Sequence, residues 1–129
     1  MNIVVFEDDR VEALYPITLA RPVYSIQCGA TRLRDLLGAL TIAGRWWGVV
    51  RPHLQTLQRE DDPTWHATQQ LPAEETLCVN GALVPSRAAE QLIAEWLERP
   101  RAGILRRDGR IALARLHADH FRQLPWPAT

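Results

Sequence analysis

Short apolar segments that alternate with helical patterns are the feature that most constrains the fold of this chain. Three such segments lie at 2–6, 46–50 and 76–79, and they are rich in the branched and aromatic residues typical of strands. Helical patterns follow them, beginning at Thr31, Pro52 and Ser86. Because strands that alternate with helices usually pair in parallel, the sequence predicts an α/β fold.

Local signals refine this prediction. Thr31 and Ser86 are residues that cap helices, and Pro52 suits a first helical turn. Asp108-Gly109 separates two apolar segments, which is a strong hairpin signal, and a further short strand is expected near 65–68. We therefore expect a three-layer, Rossmann-like, mostly parallel sheet with a C-terminal hairpin.

Length and charge limit the class of protein. A chain of 129 residues is close to the commonest size of one domain. Its 15 basic residues balance its 15 acidic residues, which argues against a broad nucleic-acid or membrane surface. No apolar run approaches the roughly 18 residues of a membrane span, and no basic segment followed by an apolar one marks a signal peptide. We expect a cytoplasmic protein in which Cys28 and Cys78 are small buried apolar residues.

An acidic turn follows the first predicted strand. Nucleotide-binding α/β domains usually place a glycine-rich loop there, whereas this chain has Glu7-Asp8-Asp9-Arg10. Ligands of open α/β sheets bind beyond the carboxyl ends of the strands. This turn, and Asn80-Gly81 after the third strand, are therefore the two candidate places for a ligand.

Three segments resemble the sugar nucleotidyltransferases, which join a sugar 1-phosphate to a nucleoside triphosphate and release pyrophosphate. Residues 14–37 contain Pro16-Ile17-Thr18-Leu19-Ala20-Arg21-Pro22-Val23, which follows the family's Pro-Leu-Thr-x-x-Arg-Pro-Lys stretch. Residues 76–86 resemble the strand that ends in Asn-Gly-Asp, and 102–116 resemble the strand pair that follows it. The resemblance implies the N-terminal half of a nucleotide-diphospho-sugar transferase domain.

Within this family, the chain resembles uridyltransferase-like proteins related to the N-terminal half of UDP-N-acetylglucosamine pyrophosphorylase. Those proteins carry a C-terminal left-handed β-helix. The resemblance implies that residues 1–129 are a single domain and a fragment of a longer chain.

The sequence departs from the family at three places. Glu7, Asp8 and Asp9 replace the glycines that would approach a phosphate. Val23 stands where the family has its phosphate-binding lysine, and Ala82 where it has its Mg²⁺-binding aspartate. The usual catalytic set is therefore incomplete.

The candidate charged residues each have a structural alternative. Asp8 and Asp9 can hold Mg²⁺, the implied cofactor, or can form a solvated turn that caps nearby amides. Arg10 can bind a phosphate or pair with the neighbouring acids. Arg21 can clamp a sugar or nucleotide phosphate, or can bind backbone carbonyls of the loop. We expect Arg10 and Arg21 to be the catalytic cations.

The candidate polar residues also have alternatives. Thr18, Asn80 and Gly81 are expected to contact substrate. The hydroxyl of Thr18 can instead stabilise its loop, and Asn80 can instead shape the turn after its strand.

Two functions stay open at this point. The first is transfer of a nucleotidyl group to a sugar phosphate by in-line attack on the α-phosphorus, with cations offsetting the charge that develops. The alternative is a catalytically degenerate binding or oligomerisation module attached to an acyltransferase-like β-helix. Either function implies a nucleotide or sugar-phosphate ligand. The balanced charge and the lack of a long apolar run predict no nucleic-acid and no membrane partner, and formation of a homo-oligomer stays open.

Overall fold

A mixed sheet organises this computed structural model, which describes residues 2–40, 45–61, 63–67 and 75–117. In those residues the sheet has six strands in the order β3-β2-β1-β4-β6-β5. They are β1 (Asn2–Phe6), β2 (Arg45–Val49), β3 (Trp65–Ala67), β4 (Thr76–Asn80), β5 (Gly103–Arg107) and β6 (Arg110–Leu116). Strand β1 pairs in parallel with β2 and β4, and β2 pairs in parallel with β3. Strand β6 is antiparallel to both β4 and β5.

The α/β class and the strand positions are confirmed. Strands β1 and β4 are buried at every position, and their consecutive rather than alternating apolar residues are typical of the inner parallel strands of an α/β sheet. The prediction of a mostly parallel sheet is confirmed in part. The four neighbouring strands β3-β2-β1-β4 are parallel, but the C-terminal hairpin adds two antiparallel pairings, so the whole sheet is mixed. Thr68, the last residue of the strand expected near 65–68, lies outside the described residues.

The helices are α1 (Leu33–Ala39), α2 (Gln55–Asp61) and α3 (Arg87–Glu98). Ser86 caps α3 as predicted, since its Oγ accepts a hydrogen bond of 3.1 Å from the backbone N–H of Ala89. The prediction that Thr31 caps α1 is wrong by one residue. Arg32 is the N-cap, its backbone N–H donates to the Asp35 carboxylate at 3.2 Å, and Thr31 instead forms a β-bridge with Cys28.

The described helices all lie on one face of the sheet. Their apolar residues, among them Leu37, Leu57 and Ile93, pack in one cluster with strand residues such as Val5 and Val79. The strand residues of the other face form a second cluster with Val4, Phe6, Cys78, Ala114 and Leu116. Within the residues described, the fold therefore has one sheet layer and one helix layer, and the expected third layer is not among them.

The C-terminal hairpin is confirmed. Asp108 (φ 51°) and Gly109 (φ 74°) both adopt left-handed backbone conformations between β5 and β6. Two such residues in succession form the tight turn that matches the twist of the flanking strands. Because β6 runs antiparallel to β4, this turn brings the beginning of β6 to the carboxyl end of β4.

The two cysteines were expected to be buried, and the chain was expected to have no membrane-spanning helix. Cys78 is fully buried in the sheet, and burial raises the pKa of its thiol, whereas Cys28 is only half-buried. No helix in the described ranges is long and apolar enough to cross a membrane.

Candidate functional site

The two turns singled out in the sequence meet at one edge of the sheet. Phe6 and Asn80 are partners in the register of β1 and β4, so the residues that follow each of them are neighbours. The backbone N–H of Gly81 donates to the carbonyl oxygen of Phe6 at 2.7 Å. A Cβ on Gly81 would lie 2.9 Å from Cγ1 of Val23 and 3.1 Å from the Phe6 carbonyl oxygen. Glycine at this position therefore allows the two turns to pack closely.

Asp8 is the centre of a hydrogen-bond network. One carboxylate oxygen accepts from the backbone N–H of Arg10 at 3.1 Å and from Nη2 of Arg110 at 2.7 Å. The other accepts from Nε of Arg110 at 2.6 Å and from Nδ2 of Asn80 at 3.0 Å. Two carboxylate oxygens have about four acceptor positions, so this carboxylate is fully used by the protein.

The electrostatics of the network follow from these contacts. Partial burial raises the pKa of Asp8, but the hydrogen bonds from Arg110, Asn80 and the Arg10 backbone outweigh burial and lower that pKa overall. The hydrogen bond from Arg110 to Asp8 likewise raises the pKa of Arg110. Asp8 and Arg110 therefore form a charged pair, with side chains 15% and 30% exposed.

Asn80 joins the acidic turn to β6. Its Nδ2 donates both to Asp8 and to the carbonyl oxygen of Ile111, at 3.0 and 2.9 Å. Its Oδ1 accepts from the backbone N–H of Ala82 at 2.9 Å, which shapes the turn after β4. These contacts favour the turn-forming alternative for Asn80, because both N–H donors of the side chain are already used.

A second carboxylate of the acidic turn forms a buried ion pair. Oε1 of Glu7 accepts from the backbone N–H and Nε of Arg51, at 3.2 and 3.1 Å. Oε2 accepts from Nη2 of Arg51 at 3.2 Å and from the backbone N–H of Val23 at 3.0 Å. Nη2 of Arg51 also donates to the carbonyl oxygen of Arg21 at 3.1 Å. The pair therefore ties the segment 21–23 to the ends of β1 and β2.

The remaining predicted residues occupy different surroundings. Arg10 and Asp9 are exposed at the start of a 3₁₀ helix (Asp9–Leu14), and the Arg21 side chain is exposed on the tethered segment. Thr18 is fully buried and donates to the carbonyl oxygen of Val11 at 3.0 Å, which favours its loop-stabilising alternative. The structure therefore brings together Asp8, Arg10, Asn80 and Gly81, while Thr18 is enclosed in its own loop.

An open hollow of about 240 Å³ lies beside this network. The charged residues that line it are Arg10, Arg107, Arg110 and Asp108, and Asn80 and Ala82 contribute to its wall. Arg21 is not among the lining residues. Open α/β sheets bind ligands at the carboxyl ends of their parallel strands, where this hollow lies. It is the candidate site.

The carboxylates of Glu7 and Asp8 do not fit a protein-bound Mg²⁺, whereas Asp9, the other predicted metal ligand, is exposed. Both oxygens of Asp8 are occupied by N–H donors, both oxygens of Glu7 are occupied by Arg51 and Val23, and position 82 is alanine. The described part of the chain contains no group of three or more His, Cys, Asp or Glu side chains arranged to hold a metal. The positively charged residues that line the hollow are arginines.

Sequence reasoning did not single out Arg51, Arg107 or Arg110. Arg51 follows β2, and Arg107 and Arg110 flank the hairpin turn, so each lies at a strand end. The Asp108-Gly109 signal predicted the turn itself. It did not predict that the turn lies beside the end of β4, because the pairing of β6 with β4 has no local sequence signature. A search for arginines beside predicted strand ends would have found all three.

The comparisons with known proteins give one family. A family model described as "Sugar nucleotidyl transferase" matches residues 3–125, which includes the acidic turn, both strand ends and the hairpin. No curated protein and no solved structure matches the chain. Because the family match spans nearly the whole sequence, the chain belongs to the sugar nucleotidyl transferase family.

Proposed function

We propose that the protein transfers a nucleotidyl group from a nucleoside triphosphate to a sugar 1-phosphate. A phosphate oxygen of the sugar phosphate attacks the α-phosphorus, and the bond from that phosphorus to the leaving pyrophosphate breaks. The products are a nucleotide sugar and pyrophosphate, so atoms and charge balance without an oxidant or reductant. Membership of the sugar nucleotidyl transferase family supports this reaction.

The observation that carries the proposal is the hollow at the carboxyl ends of β1 and β4. It lies where α/β sheets bind ligands, and Arg10 reaches it from the turn after β1. Negative charge increases at the phosphorus oxygens and at the leaving group during transfer. The guanidinium of Arg10 has no partner within the described residues, so it can offset that charge.

Arg21 has a proposed role although it does not line the hollow. Its backbone carbonyl is held by Arg51, and the N–H of Val23 is held by Glu7, so the segment is fixed at two points. The side chain of Arg21 is exposed. We assign it the binding of the sugar phosphate, for which a planar guanidinium is suited.

Pyrophosphate release by the purified chain tests the proposal. Uridine triphosphate with N-acetylglucosamine 1-phosphate is the first pair to try, because the opening segment resembles uridyltransferases, and other triphosphates and hexose 1-phosphates follow. Assays with and without Mg²⁺ measure whether the reaction needs the ion. We expect Arg10→Ala and Arg21→Ala each to lower kcat/KM by about 100- to 1,000-fold, the order expected for removing one charge-stabilising donor.

The control is Arg106→Ala, which removes the same charge from an exposed position outside the hollow. We expect it to retain activity. Absence of pyrophosphate release from every substrate pair, with or without Mg²⁺, would overturn the proposal.

A second candidate is a binding module that has lost the reaction. The specific observation in its favour is that both Glu7 and Asp8 are engaged by arginines, together with Val23 and Ala82 at two family positions. This candidate predicts that phosphorylated ligands bind without release of pyrophosphate. Attachment to an acyltransferase-like β-helix in a longer chain would give such a module a substrate-presenting or oligomerising role.

The remaining predictions accompany either candidate. The proposed partner is a phosphorylated small molecule, with no nucleic acid and no membrane. A cytoplasmic location and homo-oligomer formation stay predictions, which fractionation and light scattering would test.

A further inference from the structure

The C-terminal hairpin carries two arginines that face each other. Arg107 ends β5 and Arg110 begins β6, and they are direct partners in the register of the two strands. Like charges directly opposite one another in a sheet are destabilising. A nearby anion relieves this repulsion.

Only one of the two has its anion in the described part of the chain. Arg110 is held by Asp8 through two hydrogen bonds of 2.6 and 2.7 Å. Arg107 is exposed, and its guanidinium has no hydrogen bond or ion pair within the residues described, although its backbone pairs with that of Arg110. The arginine pair therefore keeps one guanidinium whose charge is not offset by a paired carboxylate.

The contact with Asp8 leaves Arg110 with further donors. A guanidinium has five N–H groups, and the contact uses one on Nε and one on Nη2. Because Asp8 is itself held by Asn80 and by the Arg10 backbone, the orientation of Arg110 is fixed before a ligand arrives. Less conformational freedom is then lost when an anion binds.

The two hairpin arginines line the same hollow as Arg10. Asp108 also lines it and opposes their charge, and Asp8 already offsets the charge of Arg110. The two remaining guanidinium groups, those of Arg10 and Arg107, still outnumber the one lining carboxylate. The volume of about 240 Å³ is below the roughly 300–1,000 Å³ of pockets that enclose drug-sized ligands. The hollow therefore suits the phosphate part of a ligand better than an entire nucleotide sugar.

We propose that Arg107 and Arg110 bind the phosphoryl groups of the substrate together with Arg10. Guanidinium groups bind phosphate oxygens through paired hydrogen bonds, which is the chemistry that this arrangement supplies. The inference rests on the proposed function for the identity of the ligand. It assigns to the hairpin the phosphate contact that the family's lysine would make from position 23, where this chain has valine.

Calorimetric titration of the full chain tests the site directly. Sodium pyrophosphate and glucose 1-phosphate are titrated separately in buffer with EDTA, so that the two phosphate sources are distinguished and no metal contributes. Arg107→Ala is expected to weaken binding of at least one compound by about tenfold or more, as for loss of a charge-assisted hydrogen bond. Arg107→Lys is expected to restore part of the affinity, because it restores charge without the planar donor pair.

Arg106→Ala is the matched control. Arg106 precedes Arg107 on the same strand, is exposed and does not line the hollow, so the same charge is removed next to the site. We expect its affinity to stay within about twofold of the unmodified chain, since an exposed charge outside the site is screened. Far-ultraviolet circular dichroism checks that both alanine variants are folded.

Two outcomes would overturn the inference. One is that the unmodified chain binds neither compound, and the other is that Arg107→Ala and Arg106→Ala bind equally well. If pyrophosphate release occurs while the two variants bind alike, the hairpin site fails and the proposed reaction stands. If Arg107→Ala loses binding but no substrate pair reacts, the reaction fails and the hairpin site stands.

Discussion

Replacing Glu7 by glutamine is expected to destabilise the fold strongly. The Glu7 side chain is 2% exposed and that of Arg51 is 10% exposed, so the pair is shielded from water. Four N–H donors point at the carboxylate, three from Arg51 and one from Val23. Glutamine keeps the shape but presents an amide NH₂ group to at least one of these donors, and it leaves Arg51 as an uncompensated buried charge.

The expected loss is about 3–5 kcal/mol in the free energy of unfolding, as when one partner of a buried ion pair is removed. Unfolding entropy is about 2.1 cal/mol/K per residue, which for 129 residues is about 0.27 kcal/mol/K. A loss of 3 kcal/mol therefore lowers the melting temperature by about 11 °C. Such a loss is a large part of the roughly 5–15 kcal/mol that stabilises a typical domain.

Urea and thermal unfolding, followed by tryptophan fluorescence and circular dichroism, measure the effect. Glu12→Gln is the matched control, because Glu12 is exposed in the neighbouring 3₁₀ helix and the change should stay within about 0.5 kcal/mol. The double variant Glu7→Leu with Arg51→Met is expected to recover most of the stability, since it removes both buried charges. A Glu7→Gln variant as stable as Glu12→Gln would refute the reasoning.

Two further predictions concern the same edge of the sheet. Asp8→Asn should lower stability by about 1–2 kcal/mol at pH 7, because the Arg110 contact loses its charge. The pKa of Asp8 is lowered in the folded state, so its stabilisation is present above about pH 4 and is lost as pH falls through the folded value. The difference between the two proteins should therefore shrink on acidification, and a difference independent of pH down to pH 2 would contradict the pairing. Gly81→Ala should cost about 1–3 kcal/mol, because the added Cβ would lie 2.9 Å from Val23, whereas Ala82→Gly at the half-buried next position should cost less than 1 kcal/mol in the same unfolding assay. Equal costs at the two positions would show that close packing at Gly81 is not the reason.

The acidic turn has a consistent physical role in this structure. A glycine-rich loop presents backbone amides to a phosphate, whereas here Glu7 and Asp8 accept N–H donors from the protein itself. Glu7 holds Arg51 inside the fold, and Asp8 holds Arg110 at the wall of the hollow. The carboxylates thus fix arginines in place, and the arginines supply the positive charge that this edge presents.

Local sequence patterns by themselves determined which elements form. The branched apolar run before Glu7 predicted β1, Ser86 predicted the start of α3, and Asp108-Gly109 predicted the hairpin, because each signal depends on neighbouring residues. The motif after β1 also predicted a candidate site at this edge, where the hollow lies. The start of α1 was predicted one residue too early, at Thr31. The carboxylate of Asp35 accepts a hydrogen bond from the N–H of Arg32, so Arg32 is the N-cap.

The tertiary structure alone decided which charges meet. Glu7 and Arg51 are 44 positions apart, and Asp8 and Arg110 are 102 positions apart. These pairs exist because β1 lies between β2 and β4, and because β6 returns antiparallel beside β4. Strand order and register depend on how the apolar faces pack over the whole sheet, and no local pattern encodes them. The sequence alone therefore predicts a metal site at the acidic turn. In the folded chain, Glu7 forms an ion pair with Arg51 and Asp8 forms one with Arg110.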